Sequence, residues 1–196
     1  MLRAWRERGL EQRFRAKIVA YADDFVVLSR GKAQEAMQWM AWAVKNLGLV
    51  LNTEKTKLRN AREEPFDFLG YSFGPTRHRK DGHWYLSAQP SKTSQARLKQ
   101  KLRAVLHRGN VAPIEQVAAR VNRILRGWSN YFHHGTRTMA YRAIDHFVYQ
   151  CVRGFLCRRH KVQSRGTRQF PDAVVFADMG FLRLRTVQLG PHARAA

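Results

Sequence analysis

Two adjacent carboxylates, Asp23 and Asp24, stand between two apolar runs near the start of the chain, directly after Tyr21 and Ala22. Such a turn is suited to a divalent cation, because Mg²⁺ prefers carboxylate oxygens and completes its shell with water and substrate phosphates. Two ions about 4 Å apart would stabilise the attacking and leaving oxygens of a phosphoryl transfer. A solvated turn is the alternative, since Asp is common in turns.

The elements around this turn follow from hydrophobic spacing. Apolar, β-prone runs at 17–21 and 25–28 predict a hairpin. Residues 32–47 carry apolar side chains at helical spacing and are followed by Gly48, which predicts a helix with a glycine at its end. Further strands are expected at 49–51, 56–58, 66–73 and 83–87, of which the last two would form another hairpin.

The chain changes character after the turn-rich stretch 74–82. Long helices with one apolar face are expected there, because glycine and proline mark suitable ends. Their predicted ranges are 94–107, 113–133 and 138–159, followed by a short helix at 171–179 and a strand at 181–185.

The charge is strongly positive, with 36 Lys and Arg against 14 Asp and Glu and a formal net charge of +22. Residues 1–74 carry 13 basic and 9 acidic side chains (+4), whereas residues 75–196 carry 23 and 5 (+18). The C-terminal part is therefore expected to grip a polyanion, and nucleic acid is the default partner. No apolar stretch approaches the roughly 20 residues of a membrane span.

The cysteine count and the start of the chain bear on location. Only Cys151 and Cys157 are present, and the first residues lack the apolar core of a signal peptide. A cytoplasmic location is expected.

Four ordered blocks resemble one known family. The Tyr-Ala-Asp-Asp turn, then Leu-Asn-Thr-Glu-Lys-Thr at 51–56 and Phe-Asp-Phe-Leu-Gly-Tyr at 66–71, is similar to the later palm motifs of reverse transcriptases encoded by group II introns. Asn122 with Arg-Gly-Trp-Ser-Asn-Tyr-Phe at 126–132 resembles their maturase-specific region, the thumb that binds intron RNA. The stretch 158–171 resembles the downstream part of the same region.

The resemblance implies an α+β fold and two domains. Residues 1–88 would be the C-terminal part of a polymerase palm, with antiparallel hairpins and a helix. Residues 89–196 would be a helical thumb and maturase-specific bundle.

The resemblance also implies roles for residues of the first part. Asp23 would be a direct ligand of Mg²⁺ and Asp24 its acidic neighbour, while Tyr21 and Ala22 would shape the floor near the primer terminus. Lys55 lies in the block that approaches the incoming nucleotide. It would neutralise or protonate the departing pyrophosphate, and a solvated lysine is equally consistent with the sequence.

Phe68, Leu69 and Gly70 would be the primer grip, and a hairpin that merely belongs to the core is the alternative. Gly70 permits a close backbone approach. RNA contact is expected from exposed cations and one amide, each as one of many phosphate contacts rather than a base reader. These residues are Arg97, Arg103, Arg120, Arg123, Arg126, Asn130, Arg158, Arg159, Arg165 and Arg168.

One family feature is missing upstream of the turn. Reverse transcriptases of this kind carry the fingers and another metal-binding aspartate there, whereas only 20 residues precede Tyr21 and none is Asp. We therefore expect an RNA-directed DNA polymerase with a maturase role in splicing, whose two-ion Mg²⁺ site is incomplete and whose activity alone is little or none. The implied partners are intron and template RNA, a DNA primer, dNTPs and an upstream fingers and palm fragment, with no membrane.

Two other interpretations stay open at this point. One is a stand-alone RNA-binding maturase or splicing cofactor in which the aspartates are a vestige. The other is a non-functional remnant.

Overall fold

A computed structural model describes residues 2–52, 54, 56–78 and 81–187. The fold is α+β, as predicted, with two small antiparallel sheets and a set of helices. The chain divides into two compact units between Asn60 and Ala61. The predicted domain division between residues 88 and 89 falls within a strand of the second unit and stays a prediction.

The first unit contains the predicted hairpin and helix. Two short helices precede the hairpin, and a longer helix packs against its second strand. In chain order the elements are α1 (Leu2–Glu7), α2 (Leu10–Arg13), β1 (Ala16–Tyr21), β2 (Asp24–Ser29) and α3 (Ala33–Asn46). Buried apolar side chains from the three helices, from β1 and from the residue after α2 make a small core, formed by Trp5, Leu10, Phe14, Ala16, Ala36 and Met40.

Helix α3 ends in a hydrogen-bonded glycine cap. Gly48 adopts φ +71° and donates its N–H to Lys45 O (3.0 Å), while Leu49 N–H reaches back to Val44 O (3.1 Å). These are the two bonds of a Schellman motif, which needs a left-handed residue that glycine supplies without strain. The predicted glycine end of the helix is confirmed.

The strands predicted at 49–51 and 56–58 were wrong, because the described residues of 49–58 form no strand. A strand requires a neighbour for its backbone groups and a surface that buries alternate side chains. Leu49 instead completes the helix cap, and Val50 is 94% exposed. Apolar composition alone therefore misled the prediction.

The second unit opens with a three-stranded antiparallel sheet in the order β3 (Phe66–Phe68), β4 (Tyr71–Arg77) and β5 (Trp84–Pro90). The predicted second hairpin is present, but its bounds were wrong. Residues 66–73 are two strands joined by a turn, and residues 84–87 pair with 74–77, which were predicted as a turn-rich stretch. Leu69 and Gly70 join β3 to β4 with φ +49° and +77°. Positive φ at both positions is the requirement of a type I′ hairpin turn, which matches the twist of the flanking strands.

Three long helices follow, as predicted. They are α4 (Lys92–Val105), α5 (Ile114–Tyr131) and α6 (Thr138–Arg159). Helix α4 begins earlier than expected because the Ser91 hydroxyl caps it, accepting the N–H of Ser94 at 3.1 Å. Their apolar faces meet in one core, which includes Leu98, Leu102, Val121, Leu125, Ile144, Val148 and Val152.

The segment after α6 corrects one prediction and refines another. The short helix expected at 171–179 contains a π-helical turn, Val174–Asp178, but the strand expected at 181–185 was wrong, because Leu184–Thr186 is a 3-10 turn. The buried Asp145 of α6 takes the backbone donors that a strand would use. Its carboxylate accepts from Leu184 N–H (2.6 Å) and Arg185 N–H (3.3 Å).

Asp145 is a buried acid, and its Oδ2 also lies 3.6 Å from Arg185 Nε. Burial raises the pKa of its carboxyl group, and the hydrogen bonds from Leu184 and Arg185 oppose that rise. The carboxylate is thus a buried structural acceptor.

A second polar side chain holds the same segment. Asn122 of α5 donates its Nδ2 to Gly180 O (2.7 Å) and accepts Leu182 N–H at its Oδ1 (2.7 Å). Between these two backbone groups Phe181 is buried in the helical core. The resemblance singled out Asn122 within an RNA-binding block, and the structure gives it this anchoring contact.

We predict that Asn122→Ala lowers the free energy of unfolding by about 1–3 kcal/mol, because it leaves two backbone groups without their partner. Asn122→Asp should also be destabilising, because it keeps an acceptor for Leu182 but places a carboxylate oxygen against the carbonyl oxygen of Gly180. Chemical denaturation measures both. Asn130→Ala, at an exposed amide of the same helix, is the matched control. Equal stability of the N122A and N130A variants would contradict the anchoring role.

Candidate metal turn and nucleic-acid surface

The acidic turn is a two-residue connection. Tyr21 pairs with Asp24 across β1 and β2, so Ala22 and Asp23 form the turn itself. All four side chains are exposed. Ala22 adopts φ +49°, a left-handed conformation that disfavours any residue with a Cβ. The continuous ladder of the hairpin imposes this conformation.

The two carboxylates are available to a cation. Neither Asp23 nor Asp24 forms a hydrogen bond or ion pair through its side chain with the described residues. Exposed carboxylate oxygens on a short turn fit Mg²⁺, which keeps several waters and accepts phosphate oxygens as further ligands. Among the described residues, no third acidic or histidine side chain joins them within metal-binding distance. Lys55, the third predicted catalytic residue, lies outside the described residues.

The hairpin turn predicted as a primer grip is fastened to α5 by two tyrosines. Tyr131 donates its hydroxyl to Leu69 O (2.9 Å), and Tyr71 donates its hydroxyl to the backbone oxygen of Tyr131 (2.8 Å). Burial raises the pKa of Tyr71, which therefore stays a neutral donor at physiological pH. We call this pair of hydrogen bonds the tyrosine lock.

Gly70 is held by the start of α4. Its carbonyl accepts Ser91 N–H (2.9 Å) and the Ser94 hydroxyl (2.9 Å). A Cβ built at Gly70 would lie 2.9 Å from Ser94 Oγ and 3.2 Å from a Phe132 ring carbon. The close approach predicted for Gly70 is therefore to the chain itself. The proposed contact of Phe68, Leu69 and Gly70 with a primer stays a prediction.

A groove of about 420 Å³ lies between α4 and α5. Arg97 and Lys101 line it from α4, one helical turn apart, and Arg123 lines it from α5. Trp128 and Tyr131 supply aromatic surface at the same groove. We call these five residues the basic groove. Cations beside aromatic rings suit the phosphates and bases of nucleic acid.

The ten residues predicted to contact RNA are all exposed, and the structure places them differently. Arg97 and Arg123 share the basic groove. Arg103 lies over the Phe147 ring, 5.1 Å from its centroid, and Arg159 donates to Ala112 O at 2.6 Å. The remaining positions are on α5, at the end of α6 and just after it, at Arg120, Arg126, Asn130, Arg158, Arg165 and Arg168.

Comparisons with known families decide the relationship. Residues 2–73 match the reverse transcriptase (RNA-dependent DNA polymerase) family, and residues 95–170 match the group II intron, maturase-specific domain. The chain belongs to the group II intron reverse transcriptase and maturase family. The reverse transcriptase match contains the acidic turn and the first residues of β4, and the maturase match contains the basic groove. No curated protein sequence matches the chain significantly.

Several acidic side chains of the second unit are engaged within the protein. Asp145 holds the C-terminal segment, Asp172 pairs with Arg183, and Asp81 contacts two histidines. The residues that line the basic groove include no carboxylate. Its cations are therefore available to an outside anion. Within the described residues, no helix is both long and apolar enough to cross a bilayer.

Two groups of site residues escaped sequence reasoning. Lys101 belongs to the basic groove, and its spacing of four residues from Arg97 on a predicted helix is the signal that would have found it. His78, Asp81 and His83 come together at the tip between β4 and β5. The pattern His-x-x-Asp-x-His in a predicted hairpin loop is their sequence signal.

We predict that the tyrosine lock stabilises the attachment of the β3–β4 hairpin to α5. Tyr71→Phe and Tyr131→Phe should each lower the free energy of unfolding by about 0.5–1 kcal/mol, since one hydrogen bond is lost and the ring stays. The double variant should lose less than the sum, because the first loss already loosens the shared turn.

Chemical denaturation and amide exchange near Gly70 measure the effect. Tyr85→Phe is the control, because the Tyr85 hydroxyl forms no hydrogen bond with the described residues. The lock has no energetic role if Y71F and Y131F match Y85F in both measurements.

Proposed function

We propose that this chain binds intron RNA and a template–primer duplex through its helical unit, and that its acidic turn supplies carboxylates for RNA-directed DNA polymerisation. The observation that carries the proposal is the presence of both family matches in one chain, in the order 2–73 and 95–170. The first match contains the unpartnered carboxylates of the turn. The second contains the basic groove.

The acidic turn would hold Mg²⁺ through Asp23, with Asp24 beside it. Bound Mg²⁺ would stabilise charge on the reacting phosphate oxygens of a dNTP and a primer. Tyr21 and Ala22 would form the surface on which the primer terminus rests, and Lys55 would neutralise the departing pyrophosphate. Phe68, Leu69 and Gly70 would contact the primer strand.

Polymerisation needs one more carboxylate than the turn supplies. A two-ion site requires an acidic side chain that bridges both ions, and the described residues bring none to Asp23 and Asp24. We propose that an upstream fingers and palm segment provides it. The 196-residue chain alone would then have little or no polymerase activity. A cytoplasmic location belongs to the same proposal.

The basic groove would hold the nucleic-acid backbone. Arg97, Lys101 and Arg123 are exposed cations on two packed helices, so their spacing is fixed by the core beneath them. Neutralising phosphates releases condensed counterions, which makes binding favourable and dependent on salt. Trp128 also contacts Phe132 and Tyr141, with ring centroids 4.9 and 5.8 Å apart, so part of its surface belongs to the core.

We predict that Arg97→Gln, Lys101→Gln and Arg123→Gln each weaken binding of a labelled structured intron RNA. The slope of log affinity against log salt should fall by about 0.7–0.9 for each phosphate that a variant no longer neutralises. Fluorescence anisotropy at several salt concentrations measures both quantities. Arg97→Lys and Arg123→Lys keep the charge and are the matched controls. Neutral variants that retain both affinity and slope would exclude the groove as the binding surface.

A stand-alone maturase or splicing cofactor is the second candidate function. The observation that favours it is the absence of a third metal ligand at the turn among the described residues. Such a protein would need the basic groove but not the carboxylates. A non-functional remnant would show neither RNA binding nor catalysis.

Asp23→Asn separates these functions. We expect it to leave RNA binding unchanged, because the turn lies outside the maturase match, and to abolish Mg²⁺-dependent primer extension when a fingers and palm fragment is supplied in trans. Glu35→Gln, at an exposed acid in the first turn of α3, is the control. The splicing-cofactor function is favoured by two results together. The D23N variant would still support splicing, and the wild-type chain with the fragment would not extend a primer. Primer extension by the 196-residue chain alone would refute the need for an outside carboxylate.

A further inference from the structure

Two imidazoles and a carboxylate converge at the tip of the β4–β5 hairpin. His78 Nδ1 and His83 Nδ1 each lie 2.6 Å from the same oxygen, Asp81 Oδ1. The two rings are stacked with centroids 4.9 Å apart, and all three ligand atoms lie within 4.8 Å of one another. It is the only group of three such side chains among the described residues, and neither family match covers it.

The backbone holds these side chains on one short loop. His78 N–H donates to His83 O (2.8 Å), which extends the β4–β5 ladder beyond Arg77 and Trp84. Gly82 N–H donates to His78 O (3.0 Å), and Gly82 adopts φ +73° to close the turn. His78 is therefore joined to Gly82 and His83 by backbone hydrogen bonds, which limits how far the two imidazoles can separate.

We propose that His78, Asp81 and His83 bind one divalent transition-metal ion of the zinc type. This site goes beyond the proposed polymerase and maturase function and is separate from the acidic turn. Neutral imidazole suits Zn²⁺ and related ions, whereas Mg²⁺ prefers oxygen ligands. Three protein ligands leave a coordination position for water, as in open zinc sites.

Binding of the ion would replace the protons of the hydrogen bonds between the two histidines and Asp81. Each Nδ1 contacts Asp81 Oδ1 at hydrogen-bond distance. Coordination requires a lone pair on each Nδ1, so the ring proton must reside on Nε2, and protons are released if the rings are charged. Zinc bonded at about 2.0–2.2 Å to each ligand would separate the ligand atoms by about 3.3–3.6 Å. The exposed side chains need shifts of roughly 1 Å to reach that arrangement.

Among the residues whose structure is described, Arg77 places a positive charge close to the ion. Arg77 Nε donates to Gly82 O at 3.1 Å, which fixes a guanidinium on the same loop. Its repulsion weakens binding of a dication. Affinity should accordingly rise when this charge is removed.

Isothermal titration of the full chain with ZnCl₂ tests the proposal, with MgCl₂ titrated in parallel. We expect one Zn²⁺ per chain at the hairpin and no Mg²⁺ binding there. His78→Gln and His83→Gln should each weaken that binding at least about tenfold, Asp81→Asn should weaken it less, and Arg77→Gln should strengthen it. The visible absorption of Co²⁺, used in place of Zn²⁺, should show nitrogen ligation that the H78Q and H83Q variants lose.

Two control variants and a stability measurement complete the test. His107→Gln and Cys157→Ser each remove a potential zinc ligand elsewhere in the second unit, at an exposed and a half-buried position respectively. Both variants should bind zinc as the wild type does. Unchanged melting of metal-free H78Q and H83Q confirms that they fold. Zinc binding that is absent, or that is equal in H78Q, H83Q and H107Q, would overturn the proposal and leave a hydrogen-bonded cluster only. Asp23→Asn should not alter zinc binding, so failure of the polymerase proposal would be distinguishable.

Discussion

Backbone carbonyl groups of the small sheet fasten it to the helices of the second unit. The oxygens of Leu69 and Gly70 accept bonds from the ends of α5 and α4, and Ala88 O accepts Thr136 N–H at 2.7 Å just before α6. Unsatisfied carbonyls are costly when buried, so each bond favours one relative position of sheet and helix. Gly135 contributes through its size, since a Cβ there would lie 2.2 Å from Ala88 O. The sheet and the bundle are therefore a single packed body within this unit.

That body concentrates positive charge on its surface. The few acids of residues 75–196 are mostly committed to internal contacts, such as the buried acceptor Asp145. Uncompensated cations repel one another and reduce the stability of the folded state. Phosphates of a bound nucleic acid would relieve that repulsion. Nucleic-acid binding would then raise the free energy of unfolding of the maturase region.

Local sequence patterns were sufficient to predict the elements that are defined by the spacing of their own apolar residues. The first hairpin, α3, α5 and α6 followed from apolar periodicity and from glycine or proline at their ends. The strands predicted at 49–51 and 181–185 failed for a different reason. Leu49 completes the cap of α3, and Leu184 donates to a carboxylate 39 residues earlier in the chain. Such hydrogen bonds override intrinsic strand preference, and a local window that is read for apolar residues alone misses them.

The candidate site residues also fall into two groups, those that the local sequence identified and those that only the packing of helices brought together. Adjacent aspartates in a turn identified the exposed carboxylates, because residue type and position were both local. The basic groove needed the packing of α4 on α5, which brings Arg97 beside Arg123 across 26 positions of sequence. The cluster of His78, Asp81 and His83 is local in sequence, but it lies outside the blocks that carry the family resemblance.

The left-handed alanine of the acidic turn has a consequence for how the carboxylates meet a cation. Ala22 is disfavoured at φ +49° by about 1–2 kcal/mol, and six paired residues on each strand keep it there. Its methyl group also excludes most other backbone conformations that glycine would permit. The backbone entropy of ordering this turn is then largely lost during folding rather than during binding. A cation bound at this turn would therefore meet an ordered backbone, whereas the two exposed carboxylates would still have to be ordered by the cation itself.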